Sequence, residues 1–175
     1  YSPVATDDDG SCIYCELSAF VEVTNVICAD ADDGSILVVS SGFIPDSSDL
    51  VYTLLPLDIQ QSDSVFTDLS SGFYEVVVYD ESGCTDTVAV EITEPEPLLV
   101  LLDDVANSAE NGQAGSISIS VIGGIEPYNY FWTSLDGNYS SSQEDIEGLN
   151  PGIYQVEITD SNGCSASSFE IVVET

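Results

Sequence analysis

The 175-residue chain contains no Lys, no Arg, no His and no Met. At an ordinary combined share of roughly 12% for Lys and Arg, the chance of finding neither is on the order of 10⁻¹⁰. Each absence removes a class of chemistry. Without His there is no imidazole base and no histidine-ligated zinc. Without Lys there is no Schiff base and no phosphate clamp. With neither Lys nor Arg, nothing neutralises nucleic-acid phosphates or anionic lipid headgroups, so no nucleic acid is expected as a partner. Trypsin-type proteases find no cleavage site. Long apolar runs are missing too. The longest aliphatic stretch is Leu98–Leu102, far short of the roughly 18 residues a membrane span needs, so no membrane insertion is expected. No basic n-region or apolar h-region opens the chain, so Tyr1 does not read as the start of a signal peptide.

What is present is acid and apolar surface together. The chain carries 32 Asp and Glu residues for a formal net charge of -32, yet 43% of it is hydrophobic. Acidic chains that stay disordered also lack apolar residues, and this one does not, so a core can be buried. Dense carboxylates repel one another, and salt or divalent cations should stabilise the fold. Carboxylate pairs are inevitable at this density and mean little by themselves. A glycosidase needs two of them at a set separation in a cleft, and no aspartic-protease signature is present. The expectation is an extracellular structural or binding module and not an enzyme.

Internal similarity organises the chain. Leu69-Ser70-Ser71-Gly72-Phe73-Tyr74-Glu75-Val76, continuing to Gly83-Cys84, recurs as Leu149-Asn150-Pro151-Gly152-Ile153-Tyr154-Gln155-Val156, continuing to Gly163-Cys164, at a constant offset of 80. Gly34-Ser35-Ile36 recurs as Gly115-Ser116-Ile117 at an offset of 81. Two tandem domains follow, 16–95 and 96–175, behind a short acidic segment at 1–15. Thr93-Glu94-Pro95-Glu96-Pro97 joins them. Its prolines restrict the backbone and predict a short stiff connector, hence a semi-rigid rod.

Both domains read as all-β. Ser116–Val121 alternates polar and apolar, as do Tyr154, Val156 and Ile158 against Gln155, Glu157 and Thr159. Turn dipeptides such as Asp33-Gly34, Ser71-Gly72 and Asn162-Gly163 punctuate these runs, and no 3.6-residue period is sustained. About seven short strands per domain suit an immunoglobulin-like β-sandwich. The Leu-x-x-Gly-x-Tyr-x-Val pattern resembles a tyrosine corner, which gives that structural role to Tyr74 and Tyr154 and predicts that both are buried. Trp132, the one tryptophan, is expected in the second core.

Calcium is the candidate cofactor, because it is bound by carboxylate and carbonyl oxygens gathered on a turn. Asp7, Asp8 and Asp9 precede Gly10, and Asp30, Asp32 and Asp33 precede Gly34. Neither cluster has the full EF-hand spacing. The five cysteines, Cys12, Cys15, Cys28, Cys84 and Cys164, form an odd set whose spacing does not fix the pairing, which leaves one thiol free or bridged to another chain. Cys12 and Cys15 form a C-x-x-C without the βαβ context of a redox motif, so structural disulfides are the expectation.

The motif Gly-Ser-Ile, then Gly-Gly-x-x-Pro-Tyr-x-Tyr-x-Trp, then Leu-x-Pro-Gly-x-Tyr-x-Val-x-x-x-Asp-x-x-Gly-Cys, spanning 115–164, resembles the SprB repeat of Bacteroidota surface proteins. Residues 34–84 resemble it more loosely. Tyr1–Tyr14, with Asp-Asp-Asp-Gly-Ser-Cys, resembles a thrombospondin type 3-like motif. The first resemblance implies a stalk or filament repeat of a large adhesin at the outer cell surface, exported by the type IX system and associated with gliding motility. Its partners would be neighbouring repeats or other copies in a filament. A carbohydrate- or protein-binding module, with surface glycans as partners, is the alternative. Family repeats carry one Cys early and another in the Gly-Cys turn, which implies a Cys28–Cys84 disulfide. Cys12, Cys15 and Cys164 are left as candidates for disulfides or intermolecular bridges. Asp63-Ser64-Val65 and Asp86-Thr87-Val88 resemble the Bacteroidota O-glycosylation triplet, which makes Ser64 and Thr87 candidate acceptors.

Overall fold

The computed structural model describes residues 16–42, 50–81, 83–108 and 114–175. Among these residues there are fifteen strands and no helix, so none is long and apolar enough to cross a membrane. The chain divides into two compact units. One holds the described chain up to Val26 and from Asp32 to Thr93; the other holds Ile27–Ala31 and Glu94–Thr175. The main change of unit thus comes two residues before the expected boundary. The five-residue excursion at Ile27–Ala31 was not expected at all.

The first unit pairs a three-stranded sheet with a four-stranded one. The smaller sheet runs β1 (Ser18–Thr24), β2 (Gly34–Ser41), β5 (Val65–Leu69). The larger runs β4 (Ile59–Gln61), β3 (Val51–Leu55), β6 (Gly72–Tyr79), β7 (Thr85–Ile92). Side chains alternate across each strand, so Tyr74, Val76 and Val78 of β6 are buried while Phe73, Glu75 and Tyr79 are exposed. Ile36 and Val38 of β2 point inward in the same way, and Leu54, Phe66, Leu69 and Ile92 close the core. Each fully buried aliphatic side chain contributes about 1.5–3 kcal/mol relative to exposure.

The second unit repeats the scheme. One sheet runs β8 (Leu99–Ala106), β9 (Gly115–Ile122), β12 (Ile146–Leu149). The other runs β11 (Ser140–Ser141), β10 (Asn129–Ser134), β13 (Gly152–Thr159), β14 (Ser165–Ser167), with β15 (Ile171–Val173) also on β13. Its core gathers Ile117, Ile119, Ile146, Leu149, Tyr154, Val156, Ile158 and Val173 around Trp132, which is 0% exposed. The indole nitrogen of Trp132 donates to the carbonyls of Gln143 at 3.0 Å and Glu144 at 3.2 Å. Its one polar atom is therefore satisfied at full burial.

The Gly-Ser-Ile motif has a steric cause. A Cβ on Gly34 would stand 2.6 Å from the Leu69 carbonyl oxygen, and one on Gly115 would stand 2.5 Å from a Val173 methyl. At both strand starts only glycine lets the neighbouring strand approach.

The structure corrects the disulfide expectation. Cys28 is bonded to Cys164, with Cα atoms 5.5 Å apart and 136 residues between them in sequence. The Cys28–Cys84 pair does not form, because a cysteine makes one disulfide and that of Cys28 is taken by Cys164; Cys84 is buried in the turn before β7. Cys84 is itself in a disulfide. Cys12 and Cys15, like Asp7, Asp8 and Asp9, lie outside the described residues.

Candidate functional site

The two Asp-x-x-Gly-Cys turns are built alike. In the first unit the Asp80 N–H donates to the Cys84 carbonyl at 3.1 Å, and the Cys84 N–H donates to the Asp80 carboxylate at 2.9 Å. In the second, Asp160 and Cys164 make the same two bonds, both at 2.9 Å. Gly83 at φ 85° and Gly163 at φ 88° supply the left-handed residue that each turn requires. Asp160 does more. One oxygen also accepts from Asn162 N–H at 2.9 Å, and the other accepts from Ile125 N–H at 3.0 Å, which ties the turn to the loop ahead of β10. Burial of this carboxyl opposes its charge, but the backbone donors of Ile125, Cys164, Asn162 and Gly163 outweigh burial and hold its pKa below the ordinary value.

Cys164 thus stands on a rigid turn, and Cys28 meets it from Ile27–Ala31. That segment is anchored within the second unit by several contacts. Asp30, at φ 59°, donates its N–H to the Glu94 carboxylate at 2.9 Å, and Ala31 N–H donates to the Cys28 carbonyl at 3.2 Å. Around the Ile27 carbonyl oxygen lie the Asn162 amide nitrogen at 3.5 Å and Cys164 Sγ at 3.4 Å.

Both tyrosine corners are in place. The Tyr74 hydroxyl donates to the Ser70 carbonyl at 3.0 Å, and the Tyr154 hydroxyl donates to the Asn150 carbonyl at 2.9 Å. Burial, then the nearby Asp136 charge, raises the Tyr154 pKa, which keeps the hydroxyl protonated as a donor. Tyr139 meets the Tyr154 ring edge-on, with centroids 5.5 Å apart.

Beside Tyr154 lies a half-open cleft of about 450 Å³, lined by Leu135, Asp136, Asn138, Tyr139, Asn150 and Pro151 among others. Leu135 is 73% exposed at its rim. The Asp136 carboxylate accepts from the Ser134 hydroxyl, then from the Asn138 side chain and N–H, and these bonds lower its pKa to about 2. Among the described residues, the two carboxyls that leave their ordinary range, Asp136 and Asp160, both move down. They are acceptors at neutral pH, whereas a general acid needs a shift upward.

The second acidic cluster does not converge. Asp30 belongs to the second unit, and Asp32 and Asp33 belong to the first, where an Asp32 oxygen accepts from the Ser70 hydroxyl at 2.6 Å. Among the described residues no three acidic or thiol groups gather as a metal site would require. Of the candidate glycosylation residues, Thr87 is exposed on β7, whereas Ser64 is half-buried and its carbonyl accepts from Val38 N–H at 2.8 Å. Sequence reasoning did not single out Asp80 and Asp160, although their recurrence four residues before a cysteine at the offset of 80 was the available signal.

These features define a chain of immunoglobulin-like β-sandwich units. The first three domains of the Hoc capsid protein of bacteriophage RB49 superpose with a TM-score of 0.51 at 18% identity, covering 90% of this chain. This chain spans 59% of that structure's length. The two Ig domains of DIP-gamma superpose at 0.42 with 10% identity, covering 91% of this chain and 97% of theirs. Domains 4 and 5 of the S-layer protein SbsC superpose at 0.38 with 15% identity, covering 91% of this chain and all of theirs. No curated protein matches the sequence. Residues 21–45, which include most of β1 and all of β2, match the model of the SprB repeat. The likeness to the SprB repeat is thus one of residues 21–45, in a chain whose fold is all-β and Ig-like.

Proposed function

We propose that this chain is a non-catalytic, extracellular repeat module of adhesin type, serving as a stalk or filament segment at the outer cell surface. The SprB-repeat match at 21–45 is the observation that carries this reading. The second unit supports it as a further copy of the repeat, since it has the same sheet scheme, the same tyrosine corner and the same Asp-x-x-Gly-Cys turn. Export by the type IX system, a part in gliding motility, and neighbouring repeats or filament copies as partners are the finer points of the same reading. Calcium held by Asp7, Asp8 and Asp9, in a sequence motif of thrombospondin type 3 kind, is a further point of the same reading. Antibody raised against residues 16–175 should label intact cells of the source organism, and proteinase K applied outside should abolish the signal. Labelling that appears only after lysis would sink the proposal.

The cleft beside Tyr154 favours a second reading, a binding module. It combines an exposed Leu135 with the Asp136, Asn138 and Asn150 polar groups and the Tyr139 ring, the mixture that sugars and peptide side chains select. A glycan array probed with this protein and with a Tyr139→Ala variant separates the readings. Binding lost in the variant supports the module; no binding by either leaves the stalk.

A further inference from the structure

We infer that the Cys28–Cys164 disulfide is a mechanical clamp, a covalent shortcut that takes chain tension past both β-sandwich cores. The argument is one of connectivity. Cys28 precedes β2 and Cys164 follows β13, with 136 residues between them. Tension entering at one end of the chain and leaving at the other runs along the backbone to Cys28, crosses the sulfur bridge, and continues from Cys164. Everything between is a closed loop that carries no net load. That loop contains β2 to β13, twelve of the fifteen strands, and with them Trp132, Leu54 and both tyrosine corners.

Of the described strands, β1, β14 and β15 lie outside the loop. They are the strands that tension can peel. β1 is held by seven residue pairs to β2, and β14 and β15 by three pairs each to β13. A hydrogen-bonded ladder opens one pair at a time under peeling, whereas the bridge fails only by breaking a covalent bond. The anchor points are built to match. Cys164 sits on the turn that Asp160 holds through Cys164, Asn162 and Ile125 N–H groups. Cys28 sits on the segment fixed by the Asp30–Glu94 bond. Cys84, itself in a disulfide, lies inside the loop, and a bridge from it to a cysteine ahead of Cys28 leaves the Cys28–Cys164 shortcut as the shortest path between the chain ends. That the clamp bears load in use rests on the stalk reading; the shortcut itself does not.

Single-molecule pulling on the full 175-residue chain, with handles at both ends, tests the clamp. Extended chain measures about 3.3–3.6 Å per residue, so the residues outside the loop supply about 13 nm and the whole chain about 60 nm. The oxidised protein should stop near the shorter length, and adding a thiol reductant should release about 47 nm more. An oxidised protein that extends toward the full length overturns the clamp. A Cys28→Ser, Cys164→Ser double variant pulled without reductant should pass the oxidised limit, and one that stops at that limit also overturns it. Should that variant fail to fold, the oxidised and reduced traces of the unaltered chain decide alone. Surface labelling decides the stalk reading separately, so each can fail without the other.

Discussion

The second strand of each unit shows what a repeat must keep and what it is free to change. Inward, β2 presents Ile36 and Val38 and β9 presents Ile117 and Ile119, all buried. Outward, β2 presents Leu37 and Val39, while β9 presents Ser118 and Ser120. The serines are not idle. Ser118 donates to the Asp145 carboxylate at 3.0 Å, and Ser120 donates to Asp103, the extra residue at the register shift in β8. Leu37 and Val39 instead sit opposite Val65 and Phe20 across their strands. The core face is held by packing. The outer face meets water and tolerates either solution.

A second contrast lies in the last strand. β7 runs unbroken over eight residues from Thr85 to Ile92, whereas its counterpart is split into β14 and β15. The break centres on Ser168, whose hydroxyl accepts from Val156 N–H at 3.1 Å and whose N–H donates to the Val156 carbonyl at 2.9 Å. The third contrast is the cysteine of the Gly-Cys turn. In the second unit it reaches Cys28, and in the first it does not.

The cysteine contrast offers the largest effect. Replacing Cys28 and Cys164 with Ser should cost about 4–5 kcal/mol, on a chain-entropy account of a loop this long. Thermal unfolding of variant and parent measures that cost. Peptic mapping at acid pH should recover the Cys28–Cys164 peptide, and a Cys28–Cys84 peptide in its place would break the comparison. The cores come next. Leu54 pairs with Val76, and Trp132 pairs with Val156 at the equivalent position, both 0% exposed. Trp132→Ala should cost about 3–5 kcal/mol and Leu54→Ala about 2–5, read by calorimetry because the first removes the fluorescent reporter.

Below these stand the turn and the corners. The Asp160 pKa is lowered on folding, so its stabilising contribution is present above the unfolded value of about 3.9 and is lost as pH falls through the lower folded value. Acid titration of the second unit's melting temperature should show that drop, and Asp160→Asn should flatten it. An unchanged profile would mean the turn does not need the charge. Tyr74→Phe and Tyr154→Phe each remove one hydrogen bond and should cost about 0.5–1.5 kcal/mol, similar in the two units if the corners are equivalent. The smallest effect belongs to the outer face, where Leu37→Ser should stay within about 0.5 kcal/mol by chemical denaturation. A larger loss would mean that this face is not simply solvated.

Much of the fold was legible because it is written in short-range pattern. Alternation on β6, β9 and β13 fixed which residues face inward, and the recurrence of Leu-x-x-Gly-x-Tyr placed Tyr74 and Tyr154 at bonds that span only four residues. The candidate site was legible only in part. Asp160 binds Ile125 across 35 positions, and no local signal announces that contact. The Tyr154 cleft draws on segments near 134–139 and 148–154, which meet only through strand pairing. The excursion at Ile27–Ala31 carries no composition shift that would mark it as belonging with residues far downstream.

The sequence by itself determined the all-β class, the repeat, the turns and the cores, since each depends on residue type at a period of two or at a fixed turn. The partner of Cys28 was decided by tertiary structure alone. A disulfide forms where folding brings two Cα atoms within about 4.4–6.8 Å, and the family pattern pointed to Cys84 while the folded chain set Cys28 at 5.5 Å from Cys164. Distance along a chain says nothing about distance across a fold, and here 136 residues of sequence separate two cysteines that the fold brings together.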